Sequence, residues 1–215
     1  MAIVTNFIPS VSAEIVTNCI PSTSAEDKIP KLLIVGDSLS AAYGLLSSEG
    51  WVTLLENKYK QSCFEIDIVN AAISGDTTQG GLSRLPNLLK KHQPTHVFLE
   101  LGGNDGLRGQ NIQDMRKNLA KMIALIQQAG AQVFLQDMEI PSNYGSRYTK
   151  LFGDSYDILA KDNDLVLFPF FLADIALDKS LMQNDGIHPN KAAQPLIADL
   201  MYERLSAYLS AEHQN

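Results

Sequence analysis

From Lys31 onward the chain alternates short apolar runs with amphipathic stretches, and that rhythm restricts the fold more than any other feature. Residues 31–36, 64–70, 96–101, 132–137 and 165–168 are compact and rich in Val, Ile, Leu and Phe. Their apolarity is continuous rather than alternating, so each predicts a strand buried on both faces, as in a parallel sheet. Between them lie helical patterns. Met115, Leu119, Met122, Ile123 and Ile126 mark one helix face, and Gly130 is placed to end it. Leu196, Ile197, Leu200, Met201, Leu205 and Tyr208 recur at three-and-four spacing and predict a final helix packed by that face. Pro86 and Pro195 fall inside helical patterns, where each is expected in a first turn or at a bend. Five strands with intervening helices predict the α/β class: a three-layer α/β/α sandwich around a five-stranded parallel sheet, with right-handed crossovers. In such sheets the loops at the carboxyl ends of the strands hold the ligand.

At 215 residues the chain is expected to comprise one domain, residues 29–215, preceded by an extension, residues 1–28. A net charge of −7 argues against a nucleic-acid partner, because phosphate binding needs clustered Lys and Arg. Lys90-Lys91 is expected in the last turn of a helix, where the dipole favours cations. No stretch is long and apolar enough to cross a bilayer as a helix. Cys19 and Cys63 have no neighbours suggesting a metal site or redox pair, and no bridge between them is expected. A monomer is the expected state.

The extension is a repeat. Residues 3–14 recur at 15–26, with Phe7 answered by Cys19 and Val11 by Thr23. A copy this fresh, with neither helix nor strand period, points to tandem duplication rather than a solenoid, whose repeats are longer. Ser22-Thr-Ser-Ala25-Glu26 looks like the small-residue cleavage region of a secretory signal, although a basic start and a continuous apolar segment are missing. The expectation is a natural precursor exported to the periplasm or secreted, with this leader as a remnant.

Four loops carry candidate chemistry, three of them after predicted strands. They are Gly36-Asp37-Ser38, Ser74-Gly75-Asp76, Gly102-Gly103-Asn104-Asp105 and, before the final helix, Asp185-Gly-Ile-His188. Parallel strands put the first three on one edge of the sheet. A serine hydroxyl becomes a nucleophile when a base takes its proton, and an imidazole becomes that base when a carboxylate orients it. Each piece also has a plain structural use. Ser38 could cap a helix, Gly75 could serve only a turn, Asn104 could satisfy a turn through its side chain, and Asp185 and His188 could close a loop onto a helix capped by Asn190. Four independent turns imitating one hydrolase by accident is the weaker account.

Other chemistries fit less well. Gly75-Asp-Thr-Thr-Gln-Gly80 continues with Gly81-Leu82 where a phosphate-binding loop needs Lys then Ser or Thr. His92 and His96 have four-residue spacing, but Pro94 between them breaks the helix that would align them on a metal. The Gly-x-Ser-x-Gly elbow of α/β-hydrolases is absent, since position 40 is serine. A non-catalytic binding module remains an alternative for any such fold.

Over residues 31–209 the sequence resembles the SGNH or GDSL-type hydrolases. The blocks that carry the likeness are Gly36-Asp-Ser-Leu-Ser40, Asn70-Ala-Ala-Ile-Ser-Gly-Asp-Thr77, Leu99-Glu-Leu-Gly-Gly-Asn-Asp-Gly-Leu-Arg-Gly109, Ile140-Pro-Ser-Asn-Tyr-Gly145 and Asp185-Gly-Ile-His-Pro-Asn190. The resemblance implies a flavodoxin-like sheet, with Ser38 as nucleophile, His188 as base and Asp185 as its orienting partner. It implies an oxyanion hole made by the backbone N–H groups of Ser38 and Gly75 and the side-chain amide of Asn104. It further implies hydrolysis of acyl thioesters, lysophospholipids and aryl esters, a small-molecule substrate, and no cofactor or metal. A carbohydrate acetylesterase of the same fold is the runner-up and would want a polar, open cleft. Gly106, Leu107, Ile140 and Pro141 are candidate substrate contacts. The glycines of Gly102 to Asn111 fit either a mobile rim over residues 106–111 or a rigid turn using positive φ.

Overall fold

The computed structural model describes residues 29–62 and 64–209. The five strands are β1 (Lys31–Gly36), β2 (Asp67–Asn70), β3 (His96–Glu100), β4 (Gln132–Gln136) and β5 (Val166–Phe168). They form one parallel sheet in the order β2-β1-β3-β4-β5. The helices are α1 (Trp51–Gln61), α2 (Thr78–His92), α3 (Gly103–Leu107), α4 (Ile112–Gln128), α5 (Ser146–Asn163) and α6 (Ala193–Leu209). α1 packs on α6, while α2, α4 and α5 pack in series. The sheet lies between these groups.

Burial on both faces holds for the inner strands and fails at the edges. β1 and β3 are almost wholly buried, whereas β2 is half-exposed and begins only at Asp67. As an edge strand it has one partner, and its register with β1 begins at Lys31↔Asp67.

The helix ends follow local chemistry. Asn111 opens α4 by accepting the Gln113 backbone N–H at 2.8 Å. Gly130, at φ +79°, closes it: its N–H meets Gln127 O and that of Ala131 meets Ile126 O, the paired bonds of a Schellman motif. The expected α4 face is buried, with Ile112 added. The α6 face is rotated from expectation. Ala193, Gln194, Ile197, Ala198, Met201, Leu205 and Leu209 are buried, while Leu196 and Tyr208 are 48% and 44% exposed. Two overlapping apolar stripes run along this helix, and packing on α1 selects the one with small residues. Pro195 falls in the first turn of α6, but Pro86 sits in the middle of α2, which runs on to His92. Lys90 and Lys91 lie in the last turn of α2. His92 ends that helix while His96 stacks on Phe134 from β3, so the two belong to different elements. The leader repeat, Cys19 and Cys63 lie outside the described residues. Among the described residues no helix is long and apolar enough to cross a membrane.

Trp51 connects this frame to the site. It is fully buried, with its ring against Phe98 and Phe171. Its Nε1–H donates to Leu39 O at 3.1 Å, one residue beyond Ser38, and its backbone N–H donates to the buried Gln194 side chain at 2.9 Å. One residue thereby fastens the turn after β1 to the start of α6.

Candidate active site

The chain leaves β1 at Gly36 and turns tightly through residues 37–44. Asp37 Oδ1 accepts the Leu39 N–H at 3.0 Å and Asp37 O accepts the Ala41 N–H at 3.0 Å. Ser38 therefore caps no helix; the local bond to the backbone comes from Asp37. Beneath the turn, Asn70 Nδ2 donates to Ser40 O at 2.9 Å and Ser40 Oγ donates to Glu100 Oε2 at 2.7 Å. Ser38 is left half-buried on a turn held from three sides.

Asp185 and His188 occupy a short antiparallel excursion closed by the Met182↔Pro189 bridge. Gln183 N–H donates to His188 O at 2.8 Å, and Asn190 Nδ2 donates to Ser180 O and Met182 O. Asn190 Oδ1 also accepts the Ala192 N–H at 2.9 Å, so the same side chain opens the turn into α6. Asp185 Oδ1 accepts the backbone N–H groups of Ile187 at 2.9 Å and His188 at 3.0 Å. Its Oδ2 lies 2.6 Å from His188 Nδ1, and His188 Nε2 lies 2.8 Å from Ser38 Oγ. With Asp185 ionised, the bound proton sits on Nδ1 and the Nε2 lone pair faces the hydroxyl. Partial burial raises the Asp185 carboxyl, but the His188 N–H, the imidazole and the Ile187 N–H outweigh it and hold the group at about 2. The Tyr43 ring lies over the imidazole with centroids 4.3 Å apart.

The candidate oxyanion donors come from two further strand ends. Asn104, in the first turn of α3, donates from Nδ2 to Asp37 Oδ2 at 3.0 Å. Gly75 sits at φ +79° in a turn where the Asp76 N–H donates to Ile73 O at 3.0 Å. A Cβ there would meet only Arg108 Nη2, at an ordinary 3.5 Å. The left-handed backbone by itself calls for glycine here. Arg108 Nη2 donates to Gly75 O at 2.9 Å, and Arg84 spans Asp76 at 2.8 Å and Gly36 O at 3.4 Å, fastening this loop to β1.

Ser38, Asn104 and His188 open onto a cavity of about 540 Å3. Its walls are mostly apolar, drawn from Leu39, Leu107, Met138, Ile140 and Pro141 and from the later segment holding Phe170, Leu172, Ala176, Met182 and Ile187. Gly75 is not among the lining residues. Nor is Gly106, which is buried where a Cβ would come within 2.7 Å of Phe152 and 2.8 Å of Ile140. The rim at 106–111 is tied by Tyr144 Oη to Leu107 O at 2.8 Å and by Tyr148 Oη to Gly106 O and Gln110 O. Phe170, Leu172, Ala176 and Met182, in a segment without helical or strand period, were not expected at the cavity, and Glu100 was not expected beneath the turn. The signal for Glu100 was a lone acid inside an otherwise apolar strand run.

A parallel α/β/α domain with a serine, an imidazole and a carboxylate in hydrogen-bonded series at its carboxyl edge is a hydrolase type of architecture. The model of the GDSL-like lipase/acylhydrolase family matches residues 34–195. The thioesterase 1/protease 1/lysophospholipase L1 of Escherichia coli K12 is 48% identical over 174 residues, covering 81% of this chain and 82% of that protein. The arylesterase of Vibrio mimicus is 43% identical over 179 residues, covering 83% and 90%. Among solved structures, the psychrotrophic esterase EstA from Pseudoalteromonas sp., inhibited by monoethylphosphonate, superposes with a TM-score of 0.82. It is 48% identical, with 84% of this chain and 98% of that one covered. The chain belongs to the GDSL-like lipase/acylhydrolase family.

Proposed function

We propose that this protein is a serine esterase and thioesterase that hydrolyses acyl esters and thioesters through an acyl-serine intermediate. The observation that carries this reading is the 2.8 Å approach of His188 Nε2 to Ser38 Oγ at the mouth of an apolar cavity. Ser38 Oγ attacks the carbonyl carbon while Nε2 takes its proton, and Asp185 stabilises the imidazolium that results. The carbonyl oxygen, charged only in the tetrahedral state, is met by the N–H groups of Ser38 and Gly75 and by the Asn104 amide. Imidazolium returns the proton to the leaving oxygen or sulfur, and water then repeats the sequence on the acyl-serine.

Substrate class follows from the walls. Leu107, Ile140 and Pro141 offer an acyl chain an apolar surface, which favours lipid-like and aryl esters over sugar acetates. The names of the thioesterase/lysophospholipase and arylesterase relatives agree. A fluorophosphonate probe should label Ser38 and no other residue, and p-nitrophenyl esters of medium chain should turn over faster than acetate. Absence of labelling would favour a non-catalytic binding module, and activity on acetate alone would favour the carbohydrate deacetylase.

Two further points belong to the same reading. Every residue of the proposed machinery comes from one copy, and the active form is a monomer, testable by light scattering. The domain begins near residue 29, after an export leader removed at Ser22–Glu26 in the natural precursor. Recovery of the protein from its own cells with Met1 in place would overturn the export assignment.

A further inference from the structure

Glu100 is the last residue of β3 and has no solvent exposure. It pairs in register with Gly36, where a Cβ would lie 2.5 Å from Glu100 Oε2 and 3.1 Å from the Ser40 side chain, so any larger residue at 36 would displace the carboxyl. That oxygen accepts the Asp37 N–H at 3.2 Å and the Ser40 hydroxyl at 2.7 Å. The other oxygen, Oε1, is buried with no N–H or O–H directed at it. The Asp37 carboxyl, 2% exposed, is within hydrogen-bonding reach of Glu100. Its own oxygens are engaged, Oδ1 by the Leu39 N–H and Oδ2 by Asn104 Nδ2, each at 3.0 Å. Two carboxyl groups in contact and out of water do not both ionise.

We propose that Glu100 is a positioning residue for the acyl transfer: it retains one proton, donates it to Asp37, and so keeps Asp37 as the ionised acceptor that orients the Asn104 amide. Burial raises the Glu100 carboxyl, and the neighbouring Asp37 charge raises it further. Burial raises Asp37 too, but the Leu39 N–H, Glu100, the Asn104 amide and His188 all pull it back. The proton therefore belongs on Glu100. An acceptor at Asp37 Oδ2 admits the amino end of Asn104 and excludes its carbonyl, so the side chain has one orientation. One Nδ2 hydrogen points at Asp37, and the second is left for the substrate oxygen. The role rests on the serine-hydrolase reading above, because it acts through Asn104.

The test compares wild type with Glu100→Gln and Glu100→Leu. Glutamine reproduces the protonated acid, with an oxygen for Ser40 and Asp37 N–H and an N–H for the Asp37 carboxylate. It should keep kcat for a p-nitrophenyl ester within about threefold of wild type. Leucine should lower kcat about a hundredfold with KM little changed, the pattern of a misaligned oxyanion donor. Infrared spectra at neutral pH should show a protonated-carboxyl band in wild type that the wild-type-minus-Gln difference assigns to position 100. A glutamine variant as slow as the leucine variant, or no such band, would overturn the proposal. The infrared reading is made on resting protein, so it stands even if wild type hydrolyses no ester, and the two readings fail separately. Should the leucine variant not fold, the glutamine rate and the band still decide.

Discussion

Asp185 uses its two oxygens for different tasks: Oδ1 takes the N–H groups of Ile187 and His188, while Oδ2 sits 2.6 Å from His188 Nδ1. The first pair of bonds fixes the carboxylate to its own loop, so the second can fix the ring. Replacement by asparagine keeps the shape but presents an amide that also tolerates the wrong tautomer. Asp185→Asn should lower kcat by roughly 10⁴-fold while leaving the far-ultraviolet spectrum unchanged.

The same bonds give a pH signature. With the folded carboxyl at about 2 and the unfolded value near ~3.9, Asp185 binds fewer protons folded than unfolded across that interval. Its stabilising contribution is complete above the unfolded value and disappears as pH falls through the folded one. Urea unfolding of wild type and Asp185→Asn from acid to neutral pH should show a stability difference that shrinks toward zero at the acid end.

Asn104→Ala removes the neutral donor to which the proposed function assigns an oxygen charged only in the transition state. The expected loss is about 10²- to 10³-fold in kcat, with KM changed far less. Steady-state kinetics on one ester series checks it, and an effect confined to KM would remove Asn104 from the oxyanion role.

Gly75 holds φ at +79°, and a Cβ there would meet Arg108 Nη2 at an ordinary 3.5 Å. Gly75→Ala should therefore fold, at a cost of about 1 to 2 kcal/mol in backbone strain. It should also lose kcat as the N–H rotates from its direction. Thermal melts and kcat measured on the same preparation separate the two effects.

Ile140 presents its side chain to the cavity. A carboxylate there would have to be desolvated by any long acyl chain that packs on it, so Ile140→Asp should cut kcat/KM for a decanoate ester about tenfold or more. The acetate ester, which does not reach that wall, should be nearly unaffected. Equal losses on both esters would separate the acyl chain from this surface.

The linear order of residues was enough for the class of fold and for picking out candidate groups that the fold brings within hydrogen-bond distance. Continuous apolarity marked the inner strands β1, β3 and β4, because a strand covered on both faces has no reason to alternate. Ser38, Asn104 and His188 stood out because polar residues at strand ends and before the last helix carry chemistry that turns alone do not need. What the chain could not give was everything set by neighbours distant in sequence. Whether β2 was covered depended on its being an edge, and which stripe of α6 went inward depended on α1. The pairing of Glu100 with Asp37, sixty-three positions apart, exists because parallel register sets Gly36 beside Glu100 and no side chain intervenes. Periodicity and motif are local properties of the polymer. Desolvation and hydrogen-bond partnership arise only when the sheet has brought separate strand ends to one edge.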